Sequence, residues 1–102
     1  MLNAVSLRHL HTLVTIARYQ SMTDAAAALH CSLSTVSSHL ALLERWMGTA
    51  LLVRTARGWV PTQQGSATLV VAQEILERCG ALSAVAVPTH AAPASRMPKS
   101  TL

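Results

Sequence analysis

Between Ser32 and Ser38 the chain places five hydroxyl side chains in seven residues, Ser32, Ser34, Thr35, Ser37 and Ser38, and no charge. Hydroxyls bond to base edges or to phosphate oxygens, and short side chains let a helix backbone come close to what it reads. Further on, Arg54 and Arg57 bracket Thr55 and Ala56 just before Gly58. A short basic loop of this kind can follow a sugar-phosphate backbone or enter a minor groove. A plainer account exists for each feature, since a solvated helix also shows a polar face and loop arginines are common. Other chemistries fit less well. Of the five histidines, His9 and His11 fall about 200° apart on a helix and cannot chelate together, while His30 and Cys31 form a lone adjacent pair. No metal site and no cofactor is expected. Asp24 opens a helix, Glu44, Glu74 and Glu77 lie on helices, and neither a nucleophile turn nor a Gly-rich phosphate loop occurs. The chain is not expected to be an enzyme, and no catalytic residue is assigned.

These side chains need elements to position them. Leu7, Leu10, Leu13, Val14 and Ala17 recur at helical spacing after Ser6, which predicts a first helix from Leu7 to Tyr19. Ser21 or Thr23 can cap a short second helix from about Asp24 to His30, rich in alanine because two neighbours must approach it closely. Ser32 can cap a third helix to about Met47, with Gly48 placed for a left-handed end. On that helix Val36, Leu40, Leu43 and Met47 share one side and should be buried, leaving Ser34, Ser38, Ala41 and Arg45 opposite. Leu51 to Val53 and Trp59 to Val60 predict two tiny strands around a basic loop, Arg54 to Gly58. Thr62 can cap a fourth helix from about Gln63 to Cys79, with Gly80 just beyond.

The totals set bounds. A chain of 102 residues makes one small domain. With 51% hydrophobic residues, 12% charged and no Phe, it should pack a core of aliphatic side chains. A net charge of +4 permits a polyanionic partner without requiring one. Cys31 and Cys79 share no ligand or disulfide spacing, which fits a reducing cytoplasm. No stretch approaches the roughly 20 apolar residues of a membrane span, and no leader pattern is visible.

The order of elements is that of a winged helix-turn-helix. The stretch from Leu7 to about Leu76 moreover resembles the N-terminal DNA-binding domain of LysR-type transcriptional regulators, a bacterial family. The resemblance rests on Leu7-Arg8-His9-Leu10, Ser21-Met22-Thr23-Asp24-Ala25-Ala26, Leu29-His30-Cys31-Ser32, Val36-Ser37 and Leu43-Glu44. It continues in Gly48, Leu51 to Gly58, and Thr62-Gln63-Gln64-Gly65. It implies a mainly α fold, with residues 1–62 a winged helix-turn-helix and 63–80 a linker and dimerisation helix. The family normally carries an effector-binding domain after this linker; here 81–102, rich in Ala, Pro, Ser and Thr, is expected to be a tail without regular structure, with no effector-binding domain or small-molecule effector site in this chain. The resemblance also implies contacts to double-stranded DNA by Leu33, Ser34, Thr35, Ser37, Ser38, Arg54 and Arg57. A homodimer would form through Leu69, Ala72, Leu76 and Cys79, in a cytoplasmic, nucleoid-associated regulator. Two positions depart from the family's habit: Leu33-Ser34 stand where Gln-Pro is usual, and Ser38-His39 where Arg-Gln is favoured. A basic side chain is thereby lost from the reading helix. That departure raises an alternative, in which the chain pairs with a full-length relative and blocks its DNA binding.

Overall fold

The computed structural model describes residues 5–85. Its elements are α1 (Leu7–Tyr19), α2 (Met22–Leu29), α3 (Leu33–Met47), β1 (Leu52–Thr55), β2 (Gly58–Pro61) and α4 (Gln63–Val85). Local chemistry accounts for most boundaries. The Ser21 hydroxyl accepts from the Asp24 amide at 3.1 Å and starts α2; Ser32 accepts from the Thr35 amide at 3.1 Å and starts α3. Thr62 accepts from the Gly65 amide at 2.9 Å and starts α4. Gln20, His30 and Gly48 end α1, α2 and α3 in the left-handed conformation.

Helices α2 and α3 cross at 105°, within the range of a helix-turn-helix. Ala25 and Ala26 are the buried residues of α2. They join Leu13, Ile16, Val36, Leu40, Leu43, Leu51 and Leu52 in one core. Larger side chains at Ala25 and Ala26 would hold α1 and α3 apart. Among the described residues no single helix is long and apolar enough to cross a membrane. The bent pair α2 and α3 is apolar because its side chains build this core.

Several boundaries differ from those the sequence predicts. Helix α2 begins at Met22, because Ser21 and not Thr23 supplies the cap. The strands are longer and the turn tighter: Arg54 pairs with Trp59, and Thr55 with Gly58, so only Ala56 and Arg57 form the turn. Helix α4 continues through Gly80 to Val85. A mid-helix glycine costs only about 1 kcal/mol, and the following Ala81 and Leu82 are good helix formers. The segment expected to form the tail thus contributes 81–85 to a helix, and its remainder lies outside the described residues. Met47, expected in the core, is 39% exposed, and Leu7, the first residue of the α1 stripe, is 46% exposed. Each sits at the end of its helix, past the point where the neighbours converge.

Candidate nucleic-acid interface

Helix α3 divides into three sides. Val36, Leu40 and Leu43 are buried. Leu33, Ser34, Ser37, Ser38, Ala41 and Arg45 are exposed, and Thr35 is half-buried. At the N-terminus the Ser32 hydroxyl lies 3.1 Å from the Ser34 hydroxyl and 2.9 Å from that of Thr35. The cap therefore also orders the first hydroxyls of the exposed face. An α-helix with its side chains is about 10–12 Å across, close to the width of the DNA major groove. A convex, uncharged, hydroxyl-bearing face on such a helix can approach base edges without a desolvation penalty for charge.

The wing is fixed beside this face by contacts that sequence reasoning did not single out. The carboxylate of Glu44, on α3, accepts from the Leu51 amide at 2.8 Å and the Leu52 amide at 3.3 Å. At the other end the Trp59 amide donates to the Gln20 carbonyl at 3.0 Å. Gly58, with φ of +105°, passes so close to that carbonyl that any Cβ would overlap it. Within the turn the Thr55 hydroxyl donates to the Gly58 carbonyl at 2.9 Å and accepts from the Arg57 amide at 3.1 Å. Arg54 and Arg57 are exposed on this braced hairpin. Arg54 is thus presented by a strand and not by a loop.

Residues 7–66 match the family described as "Bacterial regulatory helix-turn-helix protein, lysR family". The chain belongs to the LysR family. It is 44% identical over 85 residues to the HTH-type transcriptional regulator PtxR of Pseudomonas aeruginosa, spanning 82% of this chain and 27% of PtxR. It is 39% identical over 75 residues to the nitrogen assimilation regulatory protein nac of Klebsiella aerogenes, spanning 74% of this chain and 25% of that protein. Among solved structures, the CbnR_DBD-DNA complex superposes with a TM-score of 0.72 at 33% identity, covering 78% of this chain and 91% of that one. The BenM_DBD/benA site 1 DNA complex gives 0.75 at 28% identity, covering 79% and 94%. The chain spans about a quarter of the length of the regulators it matches. The fold is that of the winged-helix DNA-binding domains of LysR regulators.

In this LysR-family domain His39, where the family favours Gln, joins α3 to α1. The Thr12 hydroxyl donates to the Arg8 carbonyl at 3.0 Å. The same hydroxyl lies 2.8 Å from His39 Nδ1 and accepts from it in the tautomer that carries the proton there. The ring of His9 stands edge-on to His39 with centroids 4.6 Å apart, and His9 Nδ1 accepts the Ser6 amide at 2.9 Å, closing the start of α1. Burial first, then the neighbouring His9 and Arg8, lower the pKa of His39 below the ordinary 6.5. The folded protein therefore binds fewer protons here than the unfolded chain, so stability is full above about pH 6.5 and falls as pH drops through that value. The thermal midpoint is expected to decrease between pH 7.5 and 5.5. His39→Gln, which keeps a donor for Thr12, is expected to flatten that decrease in a melting series.

The stripe expected to pair two LysR-type subunits is partly the helix's own seam. Ala72 is fully buried, Leu69 packs against the core, and Leu76 and Cys79 are half-buried. Ala72 is 1% exposed in the single chain and packs between the helix and its own domain, at the floor of the groove that Val71 and Ile75 border. Among the described side chains, the large exposed apolar residues of α4 are Val70, Val71, Ile75 and Leu82. Val71 and Ile75 border a groove of about 730 Å³, completed by Val5, Leu7, Leu10, Trp46 and Met47. The seven-residue spacing alone could not separate the two faces, since Leu69, Ala72 and Leu76 fit either role.

Proposed function

We propose that this LysR-family chain is a sequence-specific regulator of transcription that binds double-stranded DNA, with α3 in the major groove and the wing on the backbone. The observation that carries this reading is the exposed hydroxyl face of α3, held by Glu44 beside a hairpin that presents Arg54 and Arg57. Leu33, Ser34, Thr35, Ser37 and Ser38 approach the bases and nearby phosphates, and the two arginines hold the sugar-phosphate chain. It works as a non-enzymatic binding protein in the cytoplasm, on the nucleoid.

Two copies pair through the exposed side of α4 and the groove beside it. Val71 is 53% exposed and Ile75 38%, next to an exposed Trp46. An apolar surface of this kind on a small domain is a mark of association. A two-fold dimer reads two half-sites and so multiplies specificity. The comparisons give no support to the alternative of a chain that only blocks a relative's DNA binding.

The test separates positioning from reading. Arg54→Ala is expected to weaken binding to specific and random duplexes alike, with the log–log salt slope falling by about 1. Ser34→Ala and Ser38→Ala are expected to change which sequences a selection on random DNA recovers. Equal losses on specific and random DNA for all three variants would overturn this division of labour.

A further inference from the structure

A cleft of about 520 Å³ runs along the flank of α3, lined by Arg8, His11 and Thr12 of α1, His30 at the end of α2, and Thr35 and His39 of α3. This flank lies opposite the wing: His39 is about 140° around the helix from Glu44, whose carboxylate receives the start of β1. Arg8, His11 and His30 are exposed at its rim. The chain's four carboxylate side chains, Asp24, Glu44, Glu74 and Glu77, all lie outside it. The cleft is therefore bordered by cationic or protonatable nitrogens, with no acid to neutralise them.

We infer that this cleft seats a phosphodiester of the DNA strand that runs along α3 opposite the wing, with Arg8, His11 and His30 forming its cationic wall. The inference rests on the DNA-binding reading above. A helix about as wide as the major groove has a phosphate backbone against each flank. The wing arginines serve one of them. The only Lys or Arg of helix α3 is Arg45, in its last turn, so at the N-terminal half of the helix, where the cleft lies, the described cations are those of α1 and the turn. The groups facing the cleft are Arg8 and His11 from α1, with His9 against His39 behind them, His30 from the turn, and His39 from α3. Arg8 supplies the permanent charge of this wall, and the ring N–H groups of His11 and His30 can donate to a phosphate oxygen.

The test uses the full chain and a labelled random-sequence duplex of about 30 base pairs, since a phosphate contact does not depend on sequence. The exposed pair is replaced in His11→Gln/His30→Gln, with Arg8→Gln as a second variant, and circular dichroism verifies that both fold. Each is expected to bind about 3- to 10-fold more weakly at moderate salt, with the salt slope reduced by about 1 per lost contact. Folded variants with the wild-type affinity and salt slope would overturn the inference while leaving the DNA-binding reading intact. A wild type that binds no duplex would remove both. Saturation of the cleft by inorganic phosphate, read from the histidine ring resonances, together with unchanged duplex binding in the variants, would assign it to a free anion and overturn the inference.

Discussion

Gly65→Ala is expected to destabilise the domain by about 3 kcal/mol, a large effect for one methyl group. Gly65 is buried in the first turn of α4, and a Cβ there would overlap the Leu51 backbone carbonyl. That carbonyl is not free to retreat: it accepts the Thr62 amide at 2.9 Å, while the Thr62 hydroxyl donates to the adjoining Ala50 carbonyl at 2.7 Å. Overpacking a core costs about 1–3 kcal/mol even where flexible side chains can yield. Here the obstacle is hydrogen-bonded main chain, which places the cost at the upper end. Gly80 provides the opposite case, because it lies in the same helix with nothing within 4 Å of a Cβ. Gly80→Ala is expected to stabilise by about 0.5–1 kcal/mol through helix propensity alone. Urea unfolding of the two variants should give shifts of opposite sign, and a neutral Gly65→Ala would mean that α4 does not start against Leu51.

Glu44→Ala is expected to cost about 3 kcal/mol and to loosen the wing as well. The Leu51 and Leu52 amides that the carboxylate receives belong to residues buried to within a few per cent. Hydrogen bonds to a charged group contribute about 1.5–3 kcal/mol, and a buried donor left without an acceptor costs about 1–3 kcal/mol. Glu44→Gln keeps one acceptor oxygen and should lose about half as much. Hydrogen exchange at Leu51 and Leu52 distinguishes the variants: the two amides should lose protection in Glu44→Ala well before the α1 core does. DNA affinity should fall with them, since Arg54 and Arg57 depend on this hairpin for their position. Protected amides in a folded Glu44→Ala would show that the strand is held by pairing with β2 alone.

The sequence made some of this architecture legible and hid the rest for identifiable reasons. Helices α1 and α3 have the expected limits because each has a hydroxyl or turn residue at its start, a left-handed residue at its end, and apolar side chains at helical spacing between. The start of α2 was ambiguous because Ser21 and Thr23 can both cap, and only the amide geometry selects Ser21. Gly80 resembled a stop, yet nothing in its surroundings asks the backbone to turn there. The exposed face of α3 was readable from its buried side, since fixing Val36, Leu40 and Leu43 fixes what lies opposite. The wing's supports were not. The value of Glu44 comes from amides that follow it by seven and eight residues and fold back, and that of Gly58 from a carbonyl on α1. A contact between segments leaves no period in the chain to detect, and the two faces of α4 could not be told apart for the same reason.

The close seat of Gly65 on Leu51 has a mechanical consequence. With 23 residues at 1.5 Å each, α4 is a rod of about 34 Å, and its base is clamped to Leu51, the residue that leads into the hairpin carrying the arginines. Such a rod behaves as a lever: tilting its far end by about 10° displaces that end by roughly 6 Å relative to the base, close to two base-pair steps along a duplex. Whatever grips the distal end of α4 therefore steers the angle at which the hydroxyl face meets DNA, and a slack joint at residue 65 would uncouple the two.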